Sequence, residues 1–424
     1  MTMIMRLNTQ KIAFISSFRP RKCGIATFTS DLIENIREAA GTELIPSVVA
    51  IQAEDRQQYT KAVEFVIRKD VATDYSDAAD YINSGNFDFV SLQHEFGLYG
   101  AEGGSYINLL LRRLNIPVVT TLHTVLEKPS SAYFNALTDV CGKSDIVIVM
   151  NKRGIRMLTN IYGVPRKKIR LIPHGIPDIP FSSSGFSKRN LSLSGRKIIM
   201  TFGLIGRNKG IEVMLRAMPT IIKAHPDVLY IVVGTTHPEV VKNEGYSYRN
   251  ELHQMVRELE LQNHVIFHDR YISDSELHEF LCAADIYVTP YLYKEQLTSG
   301  TLAFAVGAGK AVVSTPYWAA EELLAEDRGR LVEFGDSEQM ALAITQILND
   351  DSLLHMMQFR AYQYGRAMTW SNVGRTYWDL FEKESLSAST KIEAAAPSKD
   401  NNITQLRLIK SIKTDAGHSM SLTG

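Results

Sequence analysis

DIYVTPYLYKEQLTSGTLAFAVGAGKAVVSTPYWAAEE, residues 285–322, packs strand formers, an acid and an amide, a helical run and a second set of strand formers into one short span. Ile286-Tyr287-Val288 is a short run of strand formers stopped by Pro290, and Ala311-Val312-Val313 is a second such run. The Ala, Leu and Phe residues between them read as a crossover helix ended by Gly307 and Gly309, so the span is one strand, helix, strand unit of a parallel sheet. Ser299-Gly300-Thr301 opens that helix. A small hydroxyl there can cap it, and the unpaired backbone N–H groups of its first turn suit a phosphate. Glu295 and Gln296 lie just before.

Outward from this stretch, strand and glycine-turn units recur. Residues 11–17 (KIAFISS) form an apolar strand, followed by FRPRKCGIATF and a helix expected at about 31–39. Gly24 either lets the backbone pass close to a ligand phosphate or sugar or makes a plain turn, and Arg19, Arg21 and Lys22 add positive charge. Strands are also expected at 44–51, 87–92, 116–121 and 146–150, as in an open parallel sheet, where ligands gather at the carboxyl ends of strands. His94 and Glu95 follow one such end and His123 another. His94 and Glu95 can orient a ligand hydroxyl or simply form a hydrogen-bonded loop end. Residues 99–104 are glycine-rich and lead to a helix at about Ser105.

Residues 168–180 combine a short strand with a proline-rich turn and read as a linker. The second half opens with the strand 197–202 and GLIGRNKG, in which Arg207 and Lys209 can neutralise a diphosphate or form a solvated basic turn. Strands follow at 228–233 and 265–267, and Ser273-Asp274-Ser275-Glu276 reads as a capped helix start. Residues 353–383 are helical in pattern with a break at 369–371. From about Ser385 the composition turns Ser, Ala, Lys and Asn rich, as in a disordered tail, with an apolar and basic alternation at 403–413 that suits a surface-binding helix.

A chain of 424 residues suits two ordinary domains. Lys and Arg (46) balance Asp and Glu (46), so no bulk electrostatic binding to nucleic acid is expected, with local basic patches left open. Cys23, Cys141 and Cys282 lack metal or redox spacing and read as free thiols in a reducing compartment. No leader-like or membrane-spanning run is visible, so the expected location is cytoplasmic, with peripheral membrane contact left open.

These motifs resemble glycosyltransferase family 4, the glycosyl transferases group 1, which are retaining enzymes of GT-B fold. Gly309-Lys310-Ala311-Val312-Val313 matches the family's Gly-x-Pro-Val-Val segment, and Lys209-Gly210 matches its phosphate-loop pair, in the right order; the resemblance covers roughly 11–383. The family's two donor-loop acids match badly. Counted back from Gly309 they fall on Gln296 and Phe304, so the loop is longer than usual and the acid that would hold the nucleotide ribose is absent.

The resemblance implies an α/β fold of two doubly wound Rossmann-like domains facing across a cleft. Residues 1–178 would form the acceptor side and 179–366 the nucleotide-sugar side, with a crossover helix at 367–385 and a disordered tail at 386–424. It implies a hexose transferred from a nucleotide-diphospho-sugar to a saccharide, lipid-linked or small-molecule hydroxyl, with no essential metal. His123 and Glu295 would serve the chemistry. Gly24, Arg207, Lys209, Gln296, Ser299, Gly300 and Thr301 would bind donor, and His94 and Glu95 would face the acceptor. His174 stands where the family has an asparagine at the domain junction. The altered acid pair leaves two alternatives open: another GT-B activity, such as an epimerase or phosphorylase, and a non-catalytic nucleotide-sugar binding protein.

Overall fold

The computed structural model describes residues 9–53 and 57–395. Seven strands, β1 (Gln10–Ser16), β2 (Leu44–Gln52), β3 (Val63–Arg68), β4 (Phe89–His94), β5 (Val118–Leu122), β6 (Ile146–Val149) and β7 (Ile169–Leu171), form a parallel sheet in the order β3-β2-β1-β4-β5-β6-β7. Six more, β8 (Lys197–Phe202), β9 (Val228–Val233), β10 (Val265–His268), β11 (Ile286–Thr289), β12 (Ala311–Ser314) and β13 (Gly329–Leu331), form a second parallel sheet in the order β10-β9-β8-β11-β12-β13.

Both faces of the central strands are covered. In the second sheet Ile199, Tyr230, Val232, Val288 and Val313 pack on one side, while Ile198, Met200, Ile231, Tyr287 and Val312 pack on the other. Doubly buried strands are near-continuous apolar runs, which explains why 197–202 and 228–233 were recognisable to the residue. In each sheet the chain reverses direction of winding between its first strand and the fourth, β1 beside β4 and β8 beside β11. The loops after these strands part there and leave a crevice.

Several elements differ from expectation. The first helix runs Gly24–Ala40, beginning well before Asp31, because Cys23 Sγ accepts the Ala26 N–H at 3.4 Å and caps it early. β3 was not foreseen; it is an edge strand whose residues alternate between wet and half-buried, so it lacks an apolar run. The break near 369 is real: the helix Asp351–Gly365 ends, and a new one spans Trp370–Ala395. The expected tail is therefore helical as far as Ala395, in keeping with its Ala, Lys and Glu content; residues 396–424, with the 403–413 alternation, lie outside the described residues.

The compact unit carrying both sheets ends at Thr376, and the remainder of the last helix, from Tyr377, belongs to a second unit. The start of that helix lies on the first half of the chain: a Cβ built on Gly374 would come within 2.5 Å of the Asn35 backbone. At the break, Ile176 N–H donates to Met368 O at 2.9 Å and Trp370 N–H to Ile176 O at 2.8 Å, which fastens the linker between the sheets. Among the described residues no helix is long and apolar enough to cross a membrane.

Candidate functional site

The second half builds a cradle from two glycine-dependent turns. Gly210 is left-handed (φ 61°), and a Cβ there would meet Pro290 O at 2.0 Å, so only glycine lets the turn after β8 abut the end of β11. That contact delivers Lys209 to Tyr291, its Nζ 3.9 Å from the ring centroid. Tyr291 is buried, stacked on Tyr317 at 4.9 Å, and its hydroxyl lies 3.0 Å from Thr301 Oγ1. Ser299 Oγ accepts the Leu302 N–H at 3.3 Å and caps the helix Gly300–Gly307. Lys209, Ser299, Gly300 and Thr301 are thus brought together. Burial, the largest single influence, raises the Tyr291 phenol, but the Lys209 ammonium and hydrogen bonds from Thr301, Lys209 and Ser299 together hold the group below its ordinary value. Among the described residues Lys209 has no carboxylate partner, so its charge is free for an anion.

Arg207 is not part of this cradle. Its exposed guanidinium binds Glu251 through two hydrogen bonds of 2.6 and 2.7 Å and Glu244 at 3.1 Å. The expectation that it faces a diphosphate is corrected: two carboxylates already claim its donors. Glu295 and Gln296 also stay outside. Trp318 N–H donates to Lys294 O at 3.1 Å and Ala319 N–H to Gln296 O at 3.0 Å, which turns the exposed Glu295 to solvent, and the Gln296 amide bends back onto Thr298 O at 3.2 Å.

Across the crevice, His123 leaves the end of β5 half-buried, with its Nε2–H donating to Gln93 Oε1 at 3.0 Å. The ring meets Phe28 edge-on at 4.9 Å, and Phe28 meets His174 and Trp370 at 5.1 Å each. Burial, then the neighbouring His174 and His94, lower the His123 pKa to about 3, so the imidazole is neutral. Glu95 lies beside it: Thr124 donates to its Oε2 at 2.6 Å and Phe96 N–H to its Oε1 at 3.0 Å, and burial raises its pKa.

His94 does not face the crevice. It points to the opposite side of β4 from Gln93, fully buried and stacked on Tyr99 at 5.9 Å, with neither ring nitrogen hydrogen-bonded. Strand alternation is the reason, and it also shows what was missed: the polar residue aimed at the crevice is Gln93. Gly24 is exposed at the start of its helix with open space where a Cβ would be.

The two halves touch at both rims of the crevice. Asn151 Nδ2 donates to Leu297 O, Lys152 N–H donates to the Glu322 carboxylate at 2.9 Å, and the Arg153 guanidinium lies 4.4 Å from the Trp318 ring. At the other rim Arg19 reaches Asp274 at 3.4 Å and Lys22 lies 5.4 Å from the Tyr271 ring. Beside Lys22 opens a pocket of about 350 Å³ lined by Leu204, Thr235, Thr236 and Tyr271. Its wall is held by Arg249, a second residue the sequence did not single out, which donates to Gly234 O at 2.8 Å and Thr236 Oγ1 at 3.0 Å and pairs with Asp269. Among the described residues no cluster of three or more His, Cys, Asp or Glu side chains is placed to hold a metal.

Residues 184–364 match the family described as glycosyl transferases group 1, and residues 62–178 match glycosyltransferase family 4. The chain belongs to the glycosyltransferases of this family. A similar relative of this glycosyltransferase is the phosphatidyl-myo-inositol mannosyltransferase of Mycolicibacterium smegmatis, 26% identical over 74% of this chain and 76% of that one. Another is the mannosylfructose-phosphate synthase of Agrobacterium fabrum, 22% identical over 56% of this chain, which spans 53% of that protein. Sucrose-phosphate synthase from Thermosynechococcus elongatus superimposes with a TM-score of 0.70 at 18% identity, over 89% of this chain and all of that one. Anabaena HepE in complex with UDP does so at 0.68 and 16%, over the same share of this chain and all of that one. The fold of this glycosyltransferase is therefore GT-B.

Proposed function

We propose that this glycosyltransferase moves a hexose from a nucleotide-diphospho-sugar to an acceptor hydroxyl with retention of anomeric configuration. The observation that carries the reading is the meeting of an unpaired cation, Lys209, with the capped start of the helix Gly300–Gly307, across the crevice from a neutral histidine. A departing diphosphate is the largest charge that develops in such a reaction, and a lysine plus a helix N-terminus meet it without a metal. His123, fixed by Gln93, serves as a hydrogen-bonding positioner at the sugar rather than as a base, because its proton-accepting capacity is suppressed. The leaving phosphate oxygen then takes the acceptor proton on the face from which it departs. Glu95, held by Thr124, is the acceptor-side group.

The names of the relatives support a hexose, and the UDP bound by Anabaena HepE supports a nucleotide donor. The gap between β7 and β8, together with the two family matches, supports an acceptor-side domain at 1–178 and a donor-side domain at 179–366. The test is to incubate the protein with UDP- and GDP-hexoses and a panel of polyol, sugar-phosphate and lipid-linked acceptors, following nucleoside diphosphate and product anomer by NMR. Acceptor-dependent release with a retained anomer is expected. Epimerised donor without release, phosphate-dependent cleavage, or binding without turnover would each overturn the reading in favour of a different activity.

A further inference from the structure

The cradle as built holds one free cation for a ligand group that carries more than one negative charge, because Arg207 is committed to Glu251 and Glu244. His174 enters from the linker between the sheets, and its ring lies against the first residue of the cradle helix: a Cβ built on Gly300 would fall 2.9 Å from His174 Nε2. Its Nδ1–H donates to Gly175 O at 2.7 Å, so Nε2 carries the lone pair and makes no hydrogen bond among the described residues. The ring is held in place by Phe28 at 5.1 Å, Trp370 at 6.0 Å and Phe304 at 6.1 Å. The backbone is held by the Ile176 hydrogen bonds to Met368 and Trp370.

Resting on the donor reading above, we propose that His174 is a ligand of the donor's diphosphate, taking a proton onto Nε2 when the diphosphate binds and acting as the second cation beside Lys209. The groups facing it are three aromatic rings, the Gly300 backbone and, as the titratable neighbour coupled to it, His123; among the described residues no carboxylate pairs with it. In the ligand-free protein burial holds its pKa down to about 4, and it is neutral. An anion at the helix start reverses that balance, since an opposite charge at close range favours the protonated form. The proton comes from solvent and returns to it when the nucleoside diphosphate leaves, so no covalent step is added. The arrangement also accounts for Gly300, the position at which any side chain would collide with the imidazole.

The test is calorimetric titration of UDP and GDP into the full-length protein at about pH 6 to 7, in two buffers of different ionisation heat, which counts protons exchanged on binding. Wild type is expected to take up a fraction of a proton that His174→Asn and His174→Gln lack, and to bind about tenfold more tightly than either at the acid end of that range. Melting curves establish that the variants fold. Equal proton counts in wild type and both variants would overturn the role of His174 while leaving the donor site intact, since the ionisation of the nucleotide's own terminal phosphate is common to all three. Failure of both nucleotides to bind wild type would overturn the donor reading itself.

Discussion

His94 and His123 leave the ends of neighbouring strands, yet one is walled in by Tyr99 and Phe96 while the other stands in the crevice. Burial lowers the His94 pKa to about 4. The unfolded chain therefore binds a proton at this residue from about pH 6.5 downward while the folded chain resists until about pH 4. Stability tied to His94 is complete above the unfolded value and is lost as pH falls through this window, by roughly 3 kcal/mol at its end. His94→Phe, which fills similar space beside Tyr99 without a titrating group, is expected to flatten the fall, as read by urea unfolding at a series of pH values. An unchanged pH dependence would mean that water reaches the ring. Such a residue cannot be told from a ligand-binding one by its type. Only the alternation of β4, which sends Gln93 and His94 to opposite sides, separates them, and residue type at a strand end does not carry that information.

The loop between β11 and the cradle helix is held from the opposite side of the crevice. Asn151 accepts the Gly154 N–H at 2.8 Å, capping its own helix, and gives its amide to Leu297 O, while Leu297 and Trp318 insert among Leu122, Val125 and Met157 of the first half. Asn151→Ala is expected to cost about 1 kcal/mol through the lost cap. It should also raise the donor KM several-fold with a smaller effect on kcat, since a loosened loop must be ordered again on binding. Steady-state kinetics would show it, and a fall in kcat alone would contradict a positioning role. The elements themselves were largely legible, because strands buried on both faces and ended by Gly or Pro announce themselves. Edge strands β3 and β13 were not, because an edge strand with exposed positions carries no apolar run, and the pinning of the loop was not, because Asn151 lies far from Leu297 along the chain. The same is true of Arg207, whose captors Glu244 and Glu251 lie 37 and 44 residues onward.

Over the whole molecule, two sheets wound in the same order turn their switch points toward one crevice, and the groups gathered there come from both halves and from the linker. Anion binding at this crevice is expected to depend on Lys209 and the helix beginning at Gly300, and not on Arg207. The most direct test is the affinity of UDP and GDP, measured by calorimetry on wild type, Lys209→Met and Arg207→Ala. Loss of a free cation should weaken binding of the preferred nucleotide roughly 10- to 100-fold in Lys209→Met, while Arg207→Ala should stay within about threefold of wild type because its charge is already spent on surface glutamates. A large loss in Arg207→Ala together with an unchanged Lys209→Met would contradict the account.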